Sequence, residues 1–133
     1  MGTGVSRVES YHKGKLMAQL RLSFPGFVFL RHEDVSMSGL PDIEILGNGR
    51  CSYWEAKHAT PRFEKKPIQT LMMTRMTRAD IHARYIIWEE HHEIQRTLIV
   101  HPSMINVWTA RPEVVASGID HLAIVEAVRK VHR

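Results

Sequence analysis

Gly47-Asn48-Gly49 stands between two short apolar-rich runs, Ile43-Glu44-Ile45-Leu46 and Cys51-Ser52-Tyr53-Trp54. Runs of that composition read as β-strands. A Gly/Asn turn between them is a hairpin signal, because tight hairpin turns need backbone angles that Gly and Asn adopt at least cost. If Leu46 pairs with Cys51 across the turn, antiparallel register sets Asp42 opposite Glu55. Side chains two apart on a strand share a face, so Lys57 lies beside Glu55. The hairpin therefore gathers two carboxylates and an ammonium at one end.

Two acidic side chains next to each other can hold a hard divalent cation such as Mg²⁺. A neighbouring lysine can orient or deprotonate a water against a phosphodiester. Glu-x-Lys alone carries little weight, since alternating charges are ordinary on an exposed strand, and Pro-Asp is a common turn pair. The ordered set is more specific: Gly39-Leu40-Pro41-Asp42, a hairpin, Trp54-Glu55-Ala56-Lys57, then a helix carrying Gln69. The plainer alternative has Asp42 capping a strand and Glu55 and Lys57 forming a solvent-facing ion pair. Tyr53 and Trp54 weigh against it, because they mark a buried strand, where a charged pair needs a reason.

In these residues the chain resembles the PD-(D/E)xK nuclease superfamily, and within it the small virus-type replication-repair nucleases and the archaeal-type Holliday-junction resolvases. The resemblance runs from about Glu9 to about Val100 and includes Phe27-Val28-Phe29-Leu30-Arg31. It implies a restriction-endonuclease-like mixed β-sheet flanked by helices. It also implies metal ligation by Asp42, Glu55 and the Ala56 carbonyl, with Lys57 as the catalytic lysine. Gln69 would support the lysine and the scissile phosphate. Glu9 on the first helix would approach a metal through water, with Glu33 as an alternative for that role.

Composition agrees with a globular, polyanion-binding chain. Its 133 residues suit one domain, residues 1–133, with a sizeable core. Hydrophobic residues make up 44% and charged ones 24%, so a disordered chain is not expected. Eighteen Lys and Arg against 14 Asp and Glu leave a formal charge of +4, which favours a phosphate-rich partner and salt-sensitive binding. A modestly basic protein with no such partner would look the same on charge alone. Cys51 is the single cysteine, which excludes an intrachain disulfide and a multi-cysteine zinc site and suggests a reducing cytoplasm. No apolar run approaches a membrane span, and no signal-peptide core opens the sequence. Met1-Gly2-Thr3-Gly4-Val5-Ser6 fits the loose myristoylation pattern, but nothing else suggests a lipid anchor.

Along the chain, residues 6–22 are expected to be a helix with Leu16, Met17 and Leu20 as its apolar stripe, ended by Phe24-Pro25-Gly26. Residues 27–31 form a strand, Glu33 to Leu40 a polar loop, and 42–57 the hairpin. His58 to Pro67 reads as a loop. Pro67 suits the first turn of a helix over 67–79 that carries Ile68, Leu71, Met72, Arg75 and Met76. Arg84–Trp88 and Arg96–Val100 are β-rich, and strand-helix-strand over 51–88 predicts a right-handed crossover with parallel pairing. Residues 103–109 are a strand or a short helix. Residues 120–131 form a helix capped by Asp120, with Leu122, Ile124, Val125, Val128 and Val131 facing the core, and Arg129, Lys130 and Arg133 near its end. The class is α/β.

Other features have plainer explanations. His91-His92-Glu93 with His82 or His101 can be drawn as a transition-metal site, but the spacing matches no two-histidine helical motif, and solvated loop histidines explain it. His58 either touches a phosphate or faces away from Lys57. Met72, Met73 and Met76 at helical spacing are core filler. Lys65, Lys66, Arg75 and Arg78 are candidate DNA contacts, with Arg84 behind them; a solvated basic face accounts for the arginines nearly as well.

The expected activity is therefore Mg²⁺-dependent DNA phosphodiester hydrolysis, with Mn²⁺ as a substitute. The resemblance to resolvases implies a homodimer acting on branched DNA. No zinc-finger or helix-turn-helix pattern offers sequence readout. The competing expectations are a non-catalytic nucleic-acid-binding protein on the same fold, and an ordinary α/β binding domain with a surface Glu-Lys pair.

Overall fold

The computed structural model describes residues 7–32 and 39–133. Met1–Ser6, with the myristoylation-like pattern, and Glu33–Ser38, with the alternative acid Glu33, lie outside the described residues. Helix α1 (Arg7–Ser23) leads to strand β1 (Val28–Arg31), and the hairpin follows as β2 (Ile43–Gly47) and β3 (Arg50–Ala59). Then come α2 (Pro67–Arg78), β4 (His82–His91), β5 (Ile94–Val100), a 3-10 turn (Pro102–Val107), β6 (Val114–Ser117) and α3 (His121–Val131).

The six strands form one mixed sheet in chain order. All neighbours are antiparallel except β3 and β4, which pair in parallel with α2 as the connection between them. The fold is α/β, a mixed sheet with helices against it. Leu46 pairs with Cys51 and Gly47 with Arg50, leaving Asn48-Gly49 as a two-residue turn. Both turn residues have positive φ, 55° and 73°, as a type I′ turn requires. Gly47 is needed for a different reason: a Cβ there would lie 2.5 Å from the Phe27 ring.

Alternation along β3 divides the molecule. Trp54 and Ala56 face α1 and α3, in a core with Leu16, Met17, Leu20, Ile86, Trp88, Ile124, Val125 and Val128. Tyr53 and Ala59 face α2 and the 3-10 turn, in a core with Met73, Met76, Tyr85, Ile87, Leu98 and Trp108. Each large apolar side chain so buried contributes about 1.5–3 kcal/mol relative to exposure. The methionines are core filler, as expected. Near the turn, the buried His132 ring is hydrogen-bonded to the Gly47 carbonyl through Nδ1 (2.9 Å) and to Ser52 Oγ through Nε2 (2.8 Å). Asn48 Nδ2 donates to the His132 carbonyl at 2.7 Å.

Several expectations need correction. β3 runs through His58 and Ala59, which were expected in a loop, because β4 pairs with both. β4 exceeds Arg84–Trp88 at each end, being paired on both sides. For residues 103–109 the short-helix alternative holds, as a 3-10 helix over Pro102–Val107 with Pro102 at its start and His101 Nδ1 accepting from the Ser103 N–H. The four-residue β6, too short to announce itself, pairs with β5. On α2, Ile68 and Leu71 are exposed while Gln69, Met73 and Met76 are buried. On α3 Leu122 is exposed. Asp120 does cap α3, its Oδ1 accepting from the Ala123 N–H at 3.1 Å. Among the described residues, no helix is long and apolar enough to cross a membrane.

Candidate active site

Gly39 sets the approach to the hairpin. Its φ is +68°, and a Cβ there would meet the Ile68 carbonyl oxygen at 2.8 Å, so the chain passes hard against the first turn of α2. Pro41 and Asp42 follow, directly before β2 begins at Ile43. The Asp42 N–H donates to Glu55 Oε1 at 2.9 Å, and the Ala56 N–H donates to Asp42 Oδ1 at 3.2 Å. Each acid is thus held by the backbone of the opposite strand.

Two ammonium groups complete the cluster. Lys57 Nζ lies 3.3 Å from Glu55 Oε2. Lys13, on α1, pairs with Asp42 Oδ2 and lies 3.6 Å from Glu9 Oε2. Glu9 Oε1 accepts from the His58 N–H at 3.1 Å. Glu9, Lys13, Asp42, Glu55 and Lys57 are all between 3% and 7% exposed, which rules out the solvent-facing pair considered above. Water screens such contacts little, so an unpaired charge here costs several kcal/mol.

Three carboxylates share two ammonium groups, and the electrostatics show the imbalance. Burial, and then the charge of Asp42, push the Glu55 carboxyl up to about 7, against the pull of Lys57. Burial disfavours the charged Lys13 ammonium, but the charge and hydrogen bond of Asp42, with Glu9 and Glu55 behind, outweigh it and raise its pKa. Buried carboxylates with a surplus of negative charge suit a hard, oxygen-seeking cation. The Ala56 carbonyl leaves β3 on the same side as the N–H that reaches Asp42, as strand geometry requires. Asp42, Glu55 and the Ala56 carbonyl therefore offer oxygen donors of the kind that Mg²⁺ or Mn²⁺ takes, whereas Glu9 is not gathered with both acids within direct ligand reach and is tied instead to Lys13 and the His58 N–H.

Gln69 is 2% exposed, and its Oε1 has no hydrogen-bond partner. The next residue, Thr70, hydrogen-bonds Tyr85 Oη at 2.7 Å, and Tyr85 is the β4 register partner of Glu55. No hydrogen bond joins Gln69 to Lys57. Lys65 and Lys66 lie in the β3–α2 loop, and Arg75 and Arg78 on the outer side of α2, the helix that covers the Glu55–Lys57 face. Lys65 and Arg78 line one groove with Leu71 and Ile105. Arg84 is instead paired with Glu113 at 2.6 Å.

Two features are not apparent from sequence. Lys13 sits four residues after Glu9, a visible helical pair, but its contact with Asp42 exists only in the folded chain. The histidines also assemble differently. His91 pairs with Glu89, and His82 stands at the far end of β4 from His91. His58 faces away from Lys57 and joins His12 and Glu90. No protein-family model and no curated protein matches this sequence.

Proposed function

We propose that this chain is a metal-dependent endonuclease that hydrolyses DNA phosphodiesters, selective for branched structures and acting as a homodimer. The observation that carries the proposal is the reciprocal clamp of Asp42 and Glu55 by opposite strands, with Lys57 against Glu55. The ordered resemblance from Glu9 through Gln69 supports the same activity. Asp42, Glu55 and the Ala56 carbonyl would hold Mg²⁺, with Glu9 behind them. When bound, the ion would polarise the phosphate and acidify a water. Lys57 Nζ would orient that water and stabilise charge developing on the phosphate. Gln69, with a buried unpartnered oxygen, would position Lys57. Lys65, Lys66, Arg75 and Arg78 would contact the backbone. An intracellular location goes with this activity.

One observation favours the alternative of a non-catalytic nucleic-acid-binding protein: Lys13 already neutralises Asp42. The two are separated by incubating labelled four-way junction, flap, single-stranded and duplex DNA with the protein in Mg²⁺, Mn²⁺ or EDTA. Metal-dependent cutting is expected. Asp42→Ala, Glu55→Ala and Lys57→Ala should each abolish cleavage while DNA binding largely persists. Binding without cutting in either metal would leave the non-catalytic protein.

A further inference from the structure

On the opposite face of β3 from Glu55 and Lys57, three side chains from three elements converge. His12 Nε2 of α1 lies 2.8 Å from Glu90 Oε1 of β4, and His58 Nε2 of β3 lies 3.0 Å from the same oxygen. One donor atom from each falls within 4.8 Å of the others. We propose that His12, His58 and Glu90 form a transition-metal site of the zinc class, separate from the carboxylate cluster and independent of the nuclease activity.

The ligand chemistry separates the two sites. Two imidazoles and one carboxylate suit zinc and its neighbours, whereas an all-oxygen set suits Mg²⁺. Metal–ligand bonds of 2.0–2.2 Å in a tetrahedral site set donor atoms about 3.3 Å apart. The observed 2.8 and 3.0 Å contacts need to open by only a few tenths of an ångström. A carboxylate oxygen only accepts, so both rings now present a protonated Nε2 to Glu90. A cation would take those positions, and each ring would then carry its hydrogen on Nδ1.

The surroundings resemble those of a built site. Gln95 Nε2 donates to the other Glu90 oxygen at 2.7 Å, which orients the carboxylate. The His12 and His58 side chains are 10% and 9% exposed and that of Glu90 25%, so a cation can enter along the glutamate. Trp88 walls the His12 ring at 5.2 Å, and His121 lies 6.2 Å from it with Nδ1 buried and without a hydrogen-bond partner. The donors come from residues 12, 58 and 90, so only the folded chain assembles them, and binding must stabilise the fold.

The test is titration of the chelator-stripped full chain with Co²⁺ and Zn²⁺, following the cobalt ligand-field spectrum and the melting temperature. One equivalent is expected to bind with a tetrahedral or five-coordinate cobalt spectrum, and Zn²⁺ to raise the melting temperature. Both should persist in Asp42→Asn/Glu55→Gln. Affinity should fall by more than about a hundredfold in His58→Gln and in the near-isosteric Glu90→Gln, since removing a direct ligand should exceed the 10–100-fold typical of outer-shell groups. Circular dichroism checks that the variants fold. If cobalt binding survives Glu90→Gln, requires Asp42 and Glu55, or is absent, the cluster is a hydrogen-bond network and not a metal site.

Discussion

An unfolded glutamate ionises near pH 4.5, whereas in the folded chain burial and the charge of Asp42 keep Glu55 protonated up to about 7. The folded state thus holds a proton that the unfolded state has released, and its stability falls as pH rises through that window. His82 acts in the opposite sense. Burial, then the charge of Arg84, lower its pKa from 6.5 to about 4, so its share of stability is lost as pH falls from 6.5 toward 4. The two overlap in the wild type, but Glu55→Gln removes only the first. In EDTA, melts from about pH 5 to about pH 8 should show the Gln variant gaining on the wild type up to about pH 7 and the difference levelling off above it. A constant gap between the two curves would mean that Glu55 ionises like an ordinary surface acid.

At the level of elements, the placement of Asp42 depends on how closely the Gly39–Asp42 segment passes α2. Alanine at position 39 would carry a positive φ and push against a backbone oxygen, not a yielding side chain. Gly39→Ala should cost about 1–3 kcal/mol, measured by urea unfolding. It should also reduce cleavage per folded molecule by moving Asp42 away from Glu55, and an unchanged midpoint would show that the segment shifts freely. The hairpin was legible because Asn48-Gly49 specifies its register locally, and the parallel β3–β4 pair because a helix separates the two strands. The rotation of α2 was not legible: Ile68 and Leu71 look like core residues until the sheet selects Gln69, Met73 and Met76. Lys13 and the His12–His58–Glu90 group were hidden for the same reason, since contacts between distant segments leave no spacing to read.

For the molecule as a whole, the net charge of +4 matters less than where the exposed cations sit. Lys65 and Arg78 line the same groove beside α2. If they bind phosphates, Lys65→Ala/Arg78→Ala should weaken binding to all DNA sequences alike. The slope of log affinity against log salt should become shallower by about 0.9 for each duplex phosphate that is no longer neutralised. A fluorescence-anisotropy salt series measures that slope, and an unchanged value would assign these side chains to a solvated surface.

β3 sends Glu55 and Lys57 to one side of the sheet and Ala56 and His58 to the other, so a slip of one residue would exchange the two sets. The step is set at the turn, about 17 Å along the strand from Glu55. There His132 grips Gly47, Asn48 and Ser52. The end of the last helix acts on the hairpin as a detent acts on a ratchet wheel: a contact far from the buried charges keeps them facing the correct way.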